Sequence, residues 1–186
     1  MVGRARSEAQ RLLDTLAPHL ANGVPVVGLE PSCLLTLKDE YPGLLDHPAM
    51  DLIQENTWLF ESFWATQQPD VAFRPLPKTV HLHGHCHQKA LDQMGDVEKV
   101  LGLVPELAVQ PIESSCCGMA GAFGYGKDTA EISRQMAELS LLPALRDAEV
   151  GDLVVADGTS CRHQLDDLAD RRASHVVRVL EQCLPE

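Results

Sequence analysis

Four cysteines at three separated places in the chain are of the residue type that holds a metal centre. Cys86 lies between two histidines, Cys116 and Cys117 form a doublet, and Cys161 ends the segment Gly-Thr-Ser-Cys. Iron–sulfur clusters are held by thiolates, commonly four of them. Adjacent cysteines fit poorly around one tetrahedral ion, whereas a cluster offers several metal atoms close together. The pattern therefore predicts an iron–sulfur centre, and with it an electron carrier.

Two other chemistries remain open for these cysteines. Three or four thiolates with a histidine also make a zinc site, which would give the chain a structural or assembly role. The pair Cys116-Cys117 could instead carry thiol–disulfide exchange, which needs an accessible thiolate of low pKa. Without either chemistry, the two cysteines would be small buried side chains of a core.

Other residues near the four cysteines extend the candidate site. His85, His87 and His163 each lie within two residues of one of these cysteines. We consider these histidines as additional metal ligands or as hydrogen-bonding neighbours of the ligands. Cys33 follows a predicted strand and is equally consistent with a ligand and with an isolated thiol.

The doublet begins a glycine-rich loop over residues 114–126. Gly118 and Gly121 would let the backbone approach the centre closely and point amide hydrogens at the sulfurs, as glycine loops do for anions. A tight connection between a strand and a helix would also favour glycine. We expect these two glycines to belong to the loop that holds the cluster.

Composition narrows the class of protein. With 186 residues, 45% of them hydrophobic, the chain can bury one core or two small lobes. A net charge of −12 argues against nucleic acid as a partner. The sequence has no run of about 18 apolar residues and no secretory leader, which predicts a cytoplasmic protein without a transmembrane segment. In that reducing compartment, cysteines favour metal or redox chemistry over structural disulfides.

The apolar residues alternate between helical and strand patterns. A first part predicts a helix over 5–20, a strand over 24–29 and a helix over 48–65. A polar link over 67–77 follows. The second part predicts strands and helices in alternation: strand 79–84, helix 88–101, strand 106–112, loop 114–126, helix 128–146, strand 152–156 and helix 161–170. This order is typical of an α/β fold with a parallel, Rossmann-like sheet and helices on both faces.

The predicted sheet would bring the four cysteines together. Open α/β folds bind their ligands where loops leave the carboxyl ends of parallel strands. Cys86, the doublet and Cys161 each follow a predicted strand. We therefore expect them to meet at one edge of the sheet.

Two parts of the chain are alike when the sequence is shifted by 128 positions. The segment from Val26 to Leu37 then falls on the segment from Val154 to Leu165, and Cys33 falls on Cys161. The matches are few, so chance similarity between two βα units stays an alternative to a degenerate duplication. A duplication would divide the chain into a partial first lobe over 1–70 and a complete lobe over 78–186. The partners of Cys33 would then belong to a missing segment or to another protein chain.

Three motifs together resemble a known family. They are VHLHGHCHQKAL at 80–91, ESSCCGMAGAFGY at 113–125 and ADGTSCRHQL at 156–165. Their types and order resemble the cysteine-rich CCG domain of heterodisulfide reductases, of the glycolate oxidase iron–sulfur subunit and of lactate-utilisation proteins. The segment 24–170 is most similar to the carboxy-terminal part of bacterial FAD-linked oxidases that are fused to iron–sulfur modules.

The resemblance implies one complete CCG lobe beside a partial, degenerate one. It also implies a cluster of the [4Fe–4S] type, whose ligands would be Cys86, Cys116, Cys117 and Cys161. The family's pattern ends in Cys-x-x-Cys, but this chain has Gln164 at the last position. A five-cysteine, noncubane double cluster is therefore not expected.

The function that the resemblance implies is electron transfer within an FAD-linked dehydrogenase of 2-hydroxy acids such as glycolate or D-lactate. No FAD-binding domain, ferredoxin-type cysteine run or P-loop is recognisable in the sequence. FAD is therefore expected only in a partner domain or subunit, and a ferredoxin-like iron–sulfur module is a second expected partner. The chain would be part of an oxidoreductase and not catalytically complete alone. Any membrane association would be peripheral, through such a partner.

Overall fold

A computed structural model describes residues 1–185 and shows two compact units, with the second unit beginning at Gln67. Both units contain parallel strands flanked by helices, which confirms the predicted α/β class. No helix among the described residues has an apolar stretch long enough to cross a membrane.

The first unit contains five helices and two strands among its described residues: α1 Val2–Ala21, β1 Val26–Gly28, α2 Pro31–Lys38, α3 Glu40–Leu44, α4 Met50–Asn56, β2 Thr57–Leu59 and α5 Phe60–Gln67. The strands β1 and β2 pair in parallel, with Val26 opposite Thr57. The boundary between the units falls at the end of α5.

The second unit contains a four-stranded parallel sheet in the order β4-β3-β5-β6. Val80 on β3 lies opposite Val109 on β4, and Leu82 on β3 lies opposite Val155 on β5. The elements of this unit are β3 Lys78–Leu82, α6 Cys86–Ala90, α7 Met94–Leu101, β4 Leu107–Pro111, a 3₁₀ turn at Phe123–Tyr125, α8 Ala130–Glu138, α9 Leu141–Arg146, β5 Leu153–Val155, α10 Thr159–Ala169, β6 Ala173–Ser174 and α11 Val176–Gln182.

Two predicted helices are each divided in the structure. The helix expected over 128–146 breaks between α8 and α9. Pro143 explains the break, because its ring would clash with the carbonyl of Leu139 in a continuous helix. The helix expected over 88–101 divides into α6 and α7, and Asp92 between them has a φ of 54°. That left-handed conformation, which aspartate tolerates better than most residues, ends α6.

Two short strands are absent from the sequence prediction. The helix expected over 48–65 is interrupted by β2, whose Thr57 and Leu59 are buried. Pairing with β1 satisfies backbone groups that would otherwise lack partners, and only the tertiary fold supplies this partner. The two-residue strand β6 joins the edge of the larger sheet beside β5 in the same way.

The core of the second unit reaches the cysteines. Nine buried residues form one cluster, in which Cys117 and Cys161 pack with aliphatic side chains of α9, α10 and β5. The cluster consists of Ile112, Cys117, Met119, Leu141, Leu145, Val154, Ala156, Cys161 and Leu165. The thiols of Cys117 and Cys161 therefore lie among apolar side chains.

We expect Leu165→Ala to lower the free energy of unfolding by about 2–5 kcal/mol, because Leu165 is fully buried and its loss leaves a cavity. Leu139→Ala is the matched control, because Leu139 is 75% exposed and should change stability by less than about 0.5 kcal/mol. Urea unfolding of both variants measures the difference. Equal losses of stability in the two variants would contradict the assignment of Leu165 to the core.

Candidate metal centre

The carboxyl ends of three neighbouring strands supply the site. β3 ends at Leu82 just before His83, β4 ends at Pro111 before the doublet, and β5 ends at Val155 before Cys161. The strands are parallel and adjacent, so the loops that follow them leave from the same edge. The structure thus brings together residues that lie up to 78 positions apart in the sequence, since 161 − 83 = 78.

An inner group of three buried side chains lies at this edge: His83, Cys117 and Cys161. The sulfurs of Cys117 and Cys161 are 3.4 Å apart. A ring nitrogen of His83 and both sulfurs all lie within 4.8 Å of one another. Thiolates and imidazole are the ligands that zinc and iron prefer.

The other two cysteines form an outer pair. Cys86 and Cys116 are partly buried, and the interaction between their thiols raises the pKa of Cys86. The Cys86 sulfur also lies 3.6 Å from the carbonyl oxygen of Ser115. The doublet therefore divides, with Cys117 directed to the inner group and Cys116 to the outer pair.

The thiols strongly influence one another's ionisation. The hydrogen bond with Cys161, aided by His83, lowers the pKa of Cys117 to about 4 despite its burial. The same bond, together with burial and the neighbouring thiols, raises the pKa of Cys161. Burial and Cys116 raise the pKa of Cys86 to about 11, against the opposing charge of Lys89. Burial and the neighbouring thiols therefore oppose ionisation of Cys86 and Cys161, and added positive charge, such as that of a metal centre, would favour their thiolate forms.

Backbone amides of the loop donate to the sulfurs. The amide of Gly118 lies 3.3 Å from the Cys116 sulfur, and that of Met119 lies 3.4 Å from the Cys117 sulfur. Such bonds stabilise negative charge on thiolates and tune the potential of a cluster.

Gly118 must be glycine for a packing reason. It has a φ of +90°, and a Cβ atom there would lie 2.2 Å from the carbonyl oxygen of Ser133 on α8. Gly121 has a φ of +61° with open space around it, so it serves the turn of the loop. Gly118 lets the loop pack closely against α8, and Gly121 lets the backbone of the loop turn.

Gln164 ties the doublet to two helices. Its buried side-chain amide donates to the Cys117 carbonyl oxygen and to the Ser133 hydroxyl, both at 2.9 Å. The Ser133 hydroxyl in turn donates to the Gly118 carbonyl oxygen at 2.7 Å. The residue at the last position of the CxxC pattern is therefore a structural anchor in this chain.

The structure places the three histidines predicted from the sequence, His85, His87 and His163, in different surroundings. His85 caps α6, accepting through Nδ1 from the His87 amide at 3.2 Å. Its ring also packs against Gly158, where a Cβ atom would lie 2.5 Å from His85 Cδ2 and 3.2 Å from the Cys161 sulfur. His87 lies in the first turn of α6. His163 is exposed on α10, beside Arg162 and Asp166 in a surface hollow.

Cys33 lies in the first unit. It is an exposed free thiol in the first turn of α2, next to an open hollow of about 620 Å³.

Sequence reasoning did not select His83 for the site, although His83 is the histidine that the structure places in the inner group. The sequence prediction selects histidines by their distance from a cysteine along the chain. Position relative to the end of a strand is the better guide to which ring lies among the sulfurs. His83 directly follows the last residue of β3, at the edge where the ligands meet. This position, at the end of a predicted strand, is the sequence feature that indicates His83 as a site residue.

The sequence also did not identify Gln88 and Lys89, whose side chains hold the loops that carry the cysteines. The Gln88 side chain accepts from the His85 amide and donates to buried Asp157, each at 3.2 Å. These bonds join the segment that carries Cys86 to the loop that precedes Cys161. Lys89 donates to the carbonyl oxygens of Ser114 and Ser115, so its charge lies beside the doublet's loop.

Comparison with known proteins relates the chain to dehydrogenases. It is 27% identical over 192 aligned residues to a subunit of the anaerobic glycerol-3-phosphate dehydrogenase of Escherichia coli K12, covering 97% of this chain and 46% of that subunit. It is 33% identical over 169 residues to the D-2-hydroxyglutarate dehydrogenase of Pseudomonas putida, covering 86% of this chain and 15% of the enzyme. The enzyme of the same name in Haemophilus influenzae is 27% identical over 186 residues, with 17% of it covered.

The chain thus spans less than half the length of these curated relatives. It is similar to part of a dehydrogenase subunit and to a segment of larger dehydrogenases. Neither glycolate nor D-lactate occurs in the relatives' names. No family model matches the chain. No solved structure matches it either.

We expect Gly118→Ala to destabilise the second unit by about 1–3 kcal/mol, because the new methyl group overlaps the Ser133 carbonyl and the left-handed backbone disfavours alanine. Gly95→Ala is the control, since Gly95 lies in α7 with nothing within 4 Å of an added Cβ and alanine favours helix. Denaturant unfolding compares the two. A loss of stability that is as large for Gly95→Ala would count against the close approach.

We expect Gln164→Ala to cost about 1–3 kcal/mol of stability, because the buried Cys117 carbonyl and Ser133 hydroxyl lose a shared donor. Gln135→Ala serves as control, since Gln135 is exposed and bonds only its helix neighbour Glu131 among the described residues. Thermal unfolding monitored by circular dichroism reports both variants. An unchanged midpoint for Gln164→Ala would show that Gln164 is not an anchor.

Proposed function

We propose that this chain is the iron–sulfur electron-transfer part of a flavin-linked dehydrogenase. The observation that carries the proposal is the convergence of Cys86, Cys116, Cys117 and Cys161 on one edge of the sheet, with His83 beside them. These side chains would hold the cluster, which would supply one-electron storage between a donor and an acceptor.

The division of the doublet supports a cluster over a single zinc ion. Cys117 lies against Cys161, while its neighbour Cys116 lies against Cys86. One tetrahedral ion would need the sulfurs to converge on a single point. A centre with several metal atoms accepts two separate pairs of sulfurs at different corners.

The surroundings of the sulfurs also suit electron transfer. Cys117 and Cys161 belong to the apolar core, which limits solvent access. Amides of Gly118 and Met119 donate to two of the sulfurs. Burial and hydrogen bonds to sulfur are the means by which proteins set cluster potentials.

Thiol–disulfide exchange is less well supported. Cys117, whose pKa is lowered, and Cys161 beside it are only 1% and 2% exposed. A catalytic dithiol needs a thiolate that a substrate disulfide can reach. Burial of both sulfurs argues against that role.

The relatives support the dehydrogenase context. Their names carry glycerol-3-phosphate and D-2-hydroxyglutarate, and both molecules have a secondary alcohol that a dehydrogenase converts to a ketone. Our proposal assigns the oxidation of the substrate's hydroxyl group to a flavin-containing partner domain or subunit, with a 2-hydroxy acid of the glycolate or D-lactate type as substrate. The electrons would pass through this chain and through a ferredoxin-like partner, in the cytoplasm.

Analysis of iron and acid-labile sulfide after anaerobic isolation or reconstitution tests the proposal. We expect both in stoichiometric amounts, a brown protein, and a paramagnetic signal in one oxidation state. Zinc without sulfide would contradict the proposal.

Cysteine substitutions show whether the cluster depends on the site. We expect Cys116→Ser and Cys86→Ser each to lose most of the bound iron, whereas Cys183→Ala should retain it. Cys183 is the matched control, because it is a buried cysteine of the same unit that packs at the end of α11. Iron retained by Cys86→Ser together with dithiol activity would favour thiol–disulfide chemistry instead.

A further inference from the structure

We infer that His83 is itself a ligand of the metal centre, through its Nε2 atom. This inference rests on the proposed function, because it concerns the same centre. It assigns a nitrogen ligand that the sequence did not select, since the sequence indicated four cysteines with His85, His87 and His163 as candidate additional ligands or neighbours.

The first observation is an unsatisfied buried nitrogen. His83 is 1% exposed, and its Nε2 atom makes no hydrogen bond of normal geometry with any of the described residues. Burying a polar atom without a hydrogen-bond partner is unfavourable, because the atom loses its bonds to water. His83 nevertheless lies within 4.8 Å of the Cys117 and Cys161 sulfurs, so a metal atom bound there is within reach of its lone pair.

The second observation is the bond made by the other ring nitrogen. His83 Nδ1 lies 2.8 Å from the hydroxyl oxygen of Ser114, and Lys89 Nζ lies 3.4 Å from the same oxygen. A hydroxyl oxygen can accept two hydrogen bonds. With Lys89 donating, that oxygen can also accept from a protonated Nδ1, which leaves the Nε2 lone pair free. Metal-bound histidines are commonly held in this way, by donating their second nitrogen to a neighbouring group.

The third observation concerns position 164. Gln164 is occupied in holding the Cys117 carbonyl and Ser133, and it provides no thiolate. The inner group therefore has two sulfurs and one nitrogen among the described residues. His83 supplies the third ligand of this group from the end of β3 instead of from α10.

A nitrogen ligand changes the properties of an iron–sulfur centre. Imidazole is neutral where thiolate carries a negative charge, so replacing a thiolate by histidine raises the reduction potential. His83→Cys should therefore bind a cluster and lower its midpoint potential. His83→Gln should lose the nitrogen ligand and bind iron less tightly.

The decisive experiment uses the wild-type chain, loaded with its cluster and labelled with ¹⁵N in histidine only. Pulsed electron paramagnetic resonance then compares labelled and unlabelled protein. We expect a strong nitrogen coupling that changes from the ¹⁴N pattern to the ¹⁵N pattern. Selective labelling is needed because the amides of Gly118 and Met119 also lie near the sulfurs and give weaker couplings.

His81→Gln is the matched control for His83→Gln. His81 lies two residues earlier, on β3, and its Nε2 atom is 2.8 Å from Asp152. The histidine coupling should persist in His81→Gln and disappear in His83→Gln. A coupling that survives in His83→Gln would assign the ligand to another histidine and overturn the inference.

The outcomes separate this inference from the proposed function. A paramagnetic cluster without any histidine coupling would overturn the role of His83 and leave the electron-transfer proposal standing. A chain that binds zinc alone would overturn electron transfer, and zinc X-ray absorption would then decide on His83. Nitrogen at about 2.0–2.1 Å from zinc that vanishes in His83→Gln would support ligation, and a shell of sulfur alone would refute it.

Discussion

Parallel pairing of β3 with both β4 and β5 is the constraint on which the candidate centre depends. Val80 lies opposite Val109 on one side, and Leu82 lies opposite Val155 on the other. With this register, the three strands end together and their loops meet at one edge. A shift of any one strand by one residue would turn its side chains to the opposite face of the sheet. This register places the sulfurs of Cys117 and Cys161 and the ring of His83 close to one another.

The centre then faces an electrostatic problem that its surroundings partly solve. Four thiols lie close together, two of them within the apolar core, and they would repel one another if all were ionised to thiolates. Lys89 and the amides of Gly118 and Met119 provide positive or partly positive charge. These groups are too few to balance four thiolates. The proposed metal centre would supply further positive charge, and the close packing of Gly118 against Ser133 fixes the loop beside it.

Much of the fold was accessible from the sequence because it depends on local patterns. Apolar runs in the sequence located β3, β4 and β5 and the order of the α/β elements, since such runs bounded by turn residues are recognisable from local composition. The divided helices around Pro143 and Asp92, and the short strands β2 and β6, were not predicted. Single residues with special backbone requirements divide the helices. The short strands form because they pair with strands that are distant in the sequence.

For the site, the sequence by itself determined which reactive groups are present, because the thiols, their positions after the strands and the glycines of the loop can be read from it directly. Only the tertiary structure decided how these residues combine: that Cys117 lies with Cys161 and Cys116 with Cys86, that His83 reaches the sulfurs, and that Gln164 holds the loop. The physical reason is that contacts between residues distant in sequence depend on strand register and side-chain direction. Neither is visible in the spacing of residues along the chain.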